Sequence, residues 1–445
     1  FCPQLYLKTH VRGIDTNGPT IYWSSACCRR LVTLAIMHAL RCSAGNGIGN
    51  AIGGGIRRTL SYVLGIETSC DDTGIAIVDT AGRVRANVLE SQQEFHTRYG
   101  GIIPPRAQDL HRARIESAYQ RCLAEAQLQP EQLTAIAVTT RPGLPMSLLV
   151  GLRFARHLAR RLQKPLLPVH HMEAHALQAR MEQPEHIRFP FLCLLASGGH
   201  CQLAVVHGPG RLALLGQTLD DAPGEAFDKI GRRLRLHILP EYRLWNGGRA
   251  IEHAALLASE PLAYEFPLPL AQQRNCHFSF AGIKNNSFRA IRTRERTERT
   301  PPDGVISNYG DFCAGLLRAV SRHLMHRTQR AIEYCLLPQV GLLGDAPPTL
   351  VMSGGVANND AIFANIAHLA AQYGWQSFRP SKRYCSDNGV MIAWHGVEQL
   401  LQDGEGILRF DYDHIDVQGT AGFAESHEEA VTAAALKCKW IQPLG

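Results

Sequence analysis

The sequence predicts an α/β fold of two similar lobes with a nucleotide site in the cleft between them. Residues 62–66 and 74–79 are short apolar runs rich in β-forming residues, and a small polar turn separates them. The same order of strand, polar turn and strand returns about 128 residues later, at residues 191–196 and 201–206. This repetition predicts that each lobe opens with a hairpin.

Small polar turns follow three of the predicted strands. The second turn, residues 197–200, has the sequence Ser-Gly-Gly-His, and a third apolar run ends in Ser353, Gly354 and Gly355. Backbone N–H groups of glycine turns converge on phosphate because no Cβ blocks the approach. Three such turns in this order indicate a nucleotide in the cleft.

Periodicity and turn residues predict the other elements. Strands are expected at 83–89 and 135–139, and helices at 107–126, 147–162 and 359–373. The two lobes are then expected over residues 61–188 and 189–384. A closing helix and C-terminal segment occupy 385–414, and residues 415–445, which lack a core pattern, are predicted to form a poorly ordered tail.

Composition excludes several classes of protein. The chain has 445 residues, of which 45% are hydrophobic and 19% charged, as in packed globular proteins of two or three domains. No apolar run reaches the ~18 residues that a membrane span needs, so no membrane partner is expected. The 13 cysteines include no CxxC pair, which predicts reduced and mostly buried thiols.

The positive charge is concentrated at the start of the chain. Residues 1–60 contain seven basic residues and a single acid, which accounts for most of the net charge of +7. An acid-poor, arginine-containing segment with Ser and small residues predicts a disordered mitochondrial transit segment. The alternative is a translated upstream region without a role.

The rest of the chain is nearly neutral, so contact with nucleic acid would depend on local basic patches. The arginine-rich stretch 292–299 is one such patch. Two interpretations of it stay open, a solvated helix end and a tRNA contact.

A candidate metal site begins at His171 and His175, which lie four residues apart where a strand gives way to a helix. On a helix the two imidazoles share one face and can bind one ion. Glu173 is two residues from His171, so the zinc-protease His-Glu-x-x-His arrangement is absent. The alternative is a histidine cluster bonded to backbone carbonyls. Asp387, before an apolar helical segment near 390–394, is either the N-cap of that helix or a third ligand.

Nine ordered motifs across residues 62–410 resemble those of the tRNA N6-adenosine threonylcarbamoyltransferases, with the spacing of the mitochondrial branch. The motifs are Leu64-Gly-Ile-Glu-Thr-Ser-Cys-Asp-Asp-Thr73, Tyr99-Gly-Gly-Ile-Ile-Pro104, Pro142-Gly-Leu144, Val169-His-His-Met-Glu-Ala-His175, Ala196-Ser-Gly-Gly-His200, Gly224-Glu-Ala-Phe-Asp-Lys229, Phe278-Ser-Phe-Ala-Gly282, Ser353-Gly-Gly-Val356 and Ser386-Asp-Asn-Gly389.

The resemblance implies a two-lobed actin-like, sugar-kinase-like (ASKHA) ATPase fold with an interlobe nucleotide cleft. It implies one divalent metal ion per subunit, zinc or iron, bound by His171, His175 and Asp387. It also implies that the adenylate is bound by eight residues: Leu195, Ala196, Ser197, Gly198, Gly199, Asp228, Gly248 and Asn359. For Asp228 the alternative is a surface carboxylate paired with Lys229.

The reaction implied by the resemblance transfers the threonylcarbamoyl group of threonylcarbamoyl-AMP to the N6 amine of the adenosine 3′ to the anticodon in ANN-decoding tRNAs. AMP is a good leaving group, so no covalent enzyme intermediate is expected. Asp71 and Asp72 are the candidates for a general base, or they position a bound water or the metal.

The partners implied are tRNA, a separate synthase that supplies the adenylate, and a second copy of the chain in a homodimer. The competing hypotheses are an ATP-binding kinase-like protein and a non-catalytic assembly or nucleoid-binding protein of the same fold. A metalloprotease is disfavoured by the missing His-Glu-x-x-His pattern.

Overall fold

The computed structural model describes residues 61–99, 101–402, 412–422 and 424–444. The predicted leader over residues 1–60 lies outside the described residues.

The first lobe is built on a five-stranded sheet in the order β3-β2-β1-β4-β5. Strands β1 to β3 form an antiparallel meander, whereas β4 and β5 run parallel to β1. Every residue of β2 is buried, which explains why its sequence is a continuous apolar run rather than an alternating one. The strands are β1 (Tyr62–Glu67), β2 (Thr73–Asp79), β3 (Val84–Glu90), β4 (Leu133–Arg141) and β5 (Leu166–His170).

Three helices belong to this lobe: α1 (Gln93–Arg98), α2 (Pro104–Ala126) and α3 (Pro145–Leu162). The predicted helices at 107–126 and 147–162 begin three and two residues earlier than expected, because each starts at a proline. Proline suits the first helical turn, where its missing N–H has no intrahelical partner to lose. Apolar side chains of α2 and α3 pack on one face of the sheet.

The second lobe repeats this plan. Its sheet has the order β10-β9-β6-β7-β8-β11, and β6, β7 and β8 are antiparallel while β9 and β10 run parallel to β6. Matching β6–β10 to β1–β5 in chain order reproduces the first sheet. The strands are β6 (Phe191–Ala196), β7 (Cys201–Gly208), β8 (Arg211–Gln217), β9 (Thr349–Ser353), β10 (Gln376–Phe378) and β11 (Glu425–Ser426). The duplicated α/β sheet is the arrangement of the two-lobed actin-like fold, so the predicted fold class is confirmed.

The helices of the second lobe surround α8, most of which is buried. They are α5 (Pro223–Arg233), α6 (Gly247–Ala255), α7 (Ala281–Glu298), α8 (Tyr309–Cys335) and α9 (Asp360–Gln372). The helix predicted at 359–373 is α9, one residue shorter at each end because Asn359 is its N-cap and Tyr373 its C-cap.

Two helices connect the lobes. Helix α4 (His171–Glu182) follows β5 directly and also contacts β6 and β9 of the second lobe. Helix α10 (Gly389–Leu401) returns from the second lobe and packs on β1, β2 and β4. The closing helix is longer than the predicted segment 390–394, since its apolar face continues along the first sheet.

The prediction of a poorly ordered tail over 415–445 was wrong for the residues that the structure describes there. Strand β11 pairs with β8, and α11 (Glu428–Ala434) buries Val431. Trp440 stacks on His326 with ring centroids 3.3 Å apart. About half of the residues in the segment are hydrophobic but they follow no regular period, so hydrophobic periodicity does not reveal the strand pairing and ring stacking that dock it.

The nine cysteines among the described residues are free, and seven of them are buried, as the sequence predicted. Within the described residues, no helix combines the length and the apolar character that crossing a bilayer requires.

Candidate metal centre and interlobe site

The two histidines of the candidate metal site lie on the first turn of α4. His170 ends β5 and caps the helix, since its Nδ1 accepts a hydrogen bond from Met172 N at 3.2 Å. His171 and His175 follow one turn apart, with ring centroids separated by 4.7 Å and planes at 89°. Both imidazoles are buried, so each exposes only its ring edge to the site.

Asp387 faces these histidines. Its Oδ1 is 3.0 Å from His175 Nε2 and 3.5 Å from His171 Nε2. The N-cap of α10 is the neighbouring Asn388, whose side-chain oxygen accepts from Met391 N at 2.9 Å. The N-cap interpretation of Asp387 was therefore wrong, and its carboxylate is available to the two imidazoles.

One ligand atom from each of His171, His175 and Asp387 lies within 4.8 Å of the other two. Two imidazole nitrogens and one carboxylate oxygen form a donor set that suits zinc or iron and leaves coordination positions open. The residues present therefore fit the metal ion that the family resemblance implies.

Glu67, at the end of β1, orients the first histidine. Its Oε2 is 3.2 Å from His171 Nδ1, and Ser69 Oγ is at the same distance from that nitrogen. The carboxylate also accepts bonds from Ser69 N and from Thr139 Oγ1. A carboxylate that holds the far nitrogen of a histidine fixes its tautomer and leaves Nε2 directed at the metal position.

Glu67 was missed as a site residue by the sequence analysis. The available signal was a glutamate that closes an otherwise apolar strand and is itself almost fully buried. Buried carboxylates without a purpose are rare, because desolvation is costly.

The electrostatics of this cluster favour a cation. Burial lowers the pKa of the His171 imidazole, but the carboxylates of Asp387 and Glu67 outweigh burial and raise this pKa to about 9. Burial raises the pKa values of Glu67 and Asp387. The charge of His171 reverses this for Glu67, and His171 together with His175 reverses it for Asp387. One buried and one half-buried carboxylate thus favour positive charge between them, which a divalent ion would supply in place of the imidazolium proton.

The two candidate bases occupy different environments. Asp72 Oδ1 accepts a hydrogen bond from Gln92 N at 3.2 Å. Burial, followed by repulsion from Asp71, raises the pKa of Asp72 to about 6. Burial also raises the pKa of Asp71, and the next cause is the charge of Asp387. The charge of Asp387 also raises the pKa of Asp72, but less than the charge of Asp71 does, so Asp71 is the carboxylate more directly coupled to Asp387.

The glycine turn after β6 offers the predicted space for a phosphate. The side chains of Leu195 and Ala196 are buried, so only their backbone can take part in the site. Ser197 N donates to His200 O at 2.8 Å, and Ser197 Oγ accepts from His200 N at 3.1 Å. A Cβ added to Gly198 or Gly199 would meet nothing within 4 Å.

Two further glycines hold other chain segments against this turn. A Cβ on Gly354 would lie 2.5 Å from Ala196 O, and one on Gly224 would lie 2.8 Å from Ser197 O. The end of β9 and the first turn of α5 therefore approach the turn more closely than any side chain allows.

Asp228 lies within α5 and accepts a hydrogen bond from Gly247 N at 2.7 Å. The alternative interpretation, in which Asp228 pairs with Lys229, was wrong. Lys229 Nζ is bonded instead to Asp221 at 3.0 Å and to Glu225 at 2.8 Å. The other two predicted contacts begin helices. Gly248 lies in the first turn of α6, and Asn359 caps α9 by accepting from Ile362 N at 3.0 Å. Their contacts with an adenylate stay predictions.

The metal cluster and the glycine turns share one site. Ser353 Oγ, beside the Gly354 turn, donates to His175 O at 2.7 Å. Ser386 Oγ, beside Asp387, is 3.5 Å from Asn358 Nδ2. These bonds place the three candidate ligands where the first lobe, α4 and the second lobe meet.

Comparison with known proteins identifies the family of the chain. Residues 83–394 match the family model described as tRNA N6-adenosine threonylcarbamoyltransferase. The chain belongs to this family of transferases. A probable mitochondrial tRNA N6-adenosine threonylcarbamoyltransferase of Drosophila melanogaster is 88% identical over 408 residues, which are 92% of this chain and 100% of the relative. The mitochondrial transferase of Homo sapiens is 44% identical over 348 residues, 78% of this chain and 82% of the relative.

Among solved structures, HypF of T. kodakarensis is similar over 78% of this chain and 48% of its own, with 13% identity and a TM-score of 0.49. This likeness says nothing about activity. The transferase family and the mitochondrial location in its relatives' names confirm the enzyme class and the location that the sequence predicted.

Proposed function

We propose that this family member transfers the threonylcarbamoyl group from threonylcarbamoyl-AMP to the N6 amine of the adenosine 3′ to the anticodon in ANN-decoding mitochondrial tRNAs. The observation that carries the proposal is the meeting of His171, His175 and Asp387 within 4.8 Å, beside the glycine turns of the second lobe. A transfer from an adenylate needs an acid at the acyl group and an anion site for the departing AMP, and the site combines both.

One divalent ion per subunit, zinc or iron, would supply Lewis acidity to the oxygens of the threonylcarbamoyl group. The protein orients the His171 ring through the Glu67 carboxylate. Because Asn388 caps α10, the carboxylate of Asp387 is not needed as the N-cap and can face the histidines. Because both imidazoles are buried, water has little access to the acyl group from the side of α4.

The glycine turns would bind the leaving group. Gly198 and Gly199, whose Cβ positions are open, would present their N–H groups to a phosphate, and the first turn of α5 abuts this turn at Gly224. Asp228 lies on α5, Gly248 lies on α6 and Asn359 caps α9. We assign to these three residues the binding of the adenosine. AMP leaves as a stable anion, so the protein needs no nucleophile of its own.

The amine must lose a proton as the new bond forms. Asp71 is the carboxylate that we assign to this step. Asp72 accepts a hydrogen bond from Gln92 N, and the charge of Asp387 acts more strongly on the pKa of Asp71 than on that of Asp72. The family resemblance adds two partners to the proposal. One is a separate synthase that supplies the adenylate, and the other is a second copy of the chain in a homodimer.

The test uses the purified full chain with threonylcarbamoyl-AMP and an ANN-decoding tRNA, followed by nucleoside mass spectrometry and metal analysis. The variant His171→Ala/His175→Ala/Asp387→Ala is expected to lose bound metal and at least a hundredfold in product formation. A matched control, His157→Ala/His237→Ala/Asp303→Ala, removes the same groups from exposed positions and is expected to keep both. Product at the wild-type rate from the first variant would overturn the metal's part in the proposal.

A further inference from the structure

Helix α7 carries a row of four arginines along its solvent-exposed face. Arg289, Arg292 and Arg296 lie within the helix, and Arg299 is its C-cap. All four are exposed. Their spacing of three, four and three residues places them on one side of the helix. At a rise of ~1.5 Å per residue, the row is ~15 Å long.

The acidic residues of α7 do not neutralise this row. Glu295 is bonded to Arg233, the last residue of α5, at 2.6 Å and to Arg235, just beyond it, at 3.0 Å. Glu298 is bonded to Arg294 and to Ser307. Among the described residues, no carboxylate forms an ion pair with any of the four outer arginines.

Helix α7 begins close to the start of α5. Asp220 accepts from the N–H groups of Phe280 at 2.7 Å and Ala281 at 3.2 Å, which ties the start of α7 to the segment before α5. The next residue, Asp221, bridges α5 and α7 through its bonds to Lys229 and Lys284. Because α5 begins against the glycine turn, α7 extends the second lobe away from that turn with its arginines facing outward.

We propose that this arginine row binds the phosphate backbone of the tRNA substrate outside the cleft. The inference rests on the proposed function, which makes tRNA the substrate. Guanidinium groups bind phosphates in a bidentate geometry, and an uncompensated row is favourable only beside a polyanion. The formal charge beyond the leader is almost balanced, so an RNA ligand must be held by local patches such as this one.

The experiment measures binding of an ANN-decoding tRNA by fluorescence anisotropy over a range of salt concentrations. The variant Arg289→Gln/Arg292→Gln/Arg296→Gln/Arg299→Gln is expected to bind at least tenfold more weakly. The slope of log Kobs against log salt is expected to fall by about 3, since each lost phosphate contact contributes about 0.7–0.9. The four Arg→Lys substitutions at these positions are expected to restore most of the slope.

The matched control removes four exposed arginines of the first lobe: Arg106, Arg112, Arg153 and Arg161. It is expected to change the slope by less than about 1. An equal loss in both quadruple variants would show a general effect of net charge and would overturn the proposal. An unchanged slope in the α7 variant would overturn it as well.

Two further measurements separate the possible outcomes. Wild-type chain that binds tRNA through the row but forms no modified nucleoside would refute the proposed function and leave the arginine row intact. Vesicles of phosphatidylcholine with cardiolipin test an anionic membrane as the partner. If the α7 variant lost vesicle binding while keeping the wild-type salt slope for tRNA, the row would face lipid and the proposal would be wrong.

Discussion

At the scale of single residues, two glycines determine how closely α10 approaches the first sheet. A Cβ on Gly65 would lie 2.3 Å from Ala393 N and from Gly389 O. One on Gly389 would lie 2.6 Å from Ala76 N. These neighbours are backbone atoms, so they cannot move aside as a flexible side chain does. Since α10 follows Asp387, the glycines also set the position of that carboxylate.

The substitution Gly65→Ala is expected to destabilise the protein by about 1–3 kcal/mol and to weaken metal binding, because α10 must shift to admit the methyl group. Urea unfolding and metal titration measure the two effects. Gly282→Ala is the control, since its added Cβ meets nothing within 4 Å in helix α7. Equal stability of the two variants would show that α10 does not pack as closely as the structure indicates.

Prediction at the residue scale succeeded where spacing carries the information. His171 and His175 are one helical turn apart in the chain, so their common face follows from helix geometry. The position of Asp387 beside them came from the family resemblance, because no local rule connects residues over 200 positions apart. The structure excludes Asp387 as the N-cap of α10, because Asn388 accepts the capping hydrogen bond from Met391 N. The role of Glu67 was not predicted, because its partner His171 is distant in the sequence.

At the scale of elements, one ion pair and one histidine–carboxylate hydrogen bond hold α4 against α10. Arg180 Nε donates to Glu398 Oε1 at 2.7 Å. Glu173 Oε2 is 3.1 Å from His395 Nε2. Helix α4 carries both histidines and α10 follows Asp387, so these pairs keep the halves of the candidate metal site in register. Glu173 therefore has a structural partner on the far side of α4, in keeping with the absence of a protease-like arrangement.

Breaking one of these pairs is expected to be costly. Arg180→Met leaves the Glu398 carboxylate buried without its cation, and the expected loss of stability is about 3–5 kcal/mol. The double variant Arg180→Met/Glu398→Leu is expected to recover most of that loss, because both charges are then removed. Urea unfolding of the two variants measures the difference, and a double variant no more stable than the single one would contradict the assignment.

At the scale of the whole molecule, buried histidines of α8 make stability depend on pH. Burial lowers the pKa of His326 to about 3, and the charges of Arg327 and Arg330 add to this effect. Burial also holds the pKa of His323 well below its usual value, and Ser279 N donates to its Nε2 at 3.0 Å. Both imidazoles are therefore neutral in the folded protein.

Lowering the pH is expected to destabilise the protein through these two groups. Their folded pKa values lie below the unfolded value of about 6.5, so the stabilisation is complete above pH 6.5 and is lost as the pH falls and the unfolded chain takes up protons. At about pH 5 each group costs about 2 kcal/mol. Urea unfolding at several pH values measures the loss.

His326→Gln is expected to reduce the loss at pH 5 by about 2 kcal/mol, since one of the buried titrating groups is gone. The comparison with wild type cancels the contribution of the metal-site histidines, which titrate in both. Parallel stability curves for the variant and wild type would contradict a neutral, buried His326.

By itself the sequence determined the two lobes, the hairpins with their small polar turns, and the pairing of His171 with His175, because each depends on contacts between residues close in the chain. The tertiary structure decided what distant segments do to one another. It brought Glu67 to His171, joined α4 to α10 through the Arg180–Glu398 ion pair, and docked residues 424–444 on the second lobe by backbone pairing and the stacking of Trp440. The physical reason is that local periodicity records which face of an element is apolar, whereas the partner of a buried polar group is chosen by the packing of the whole fold.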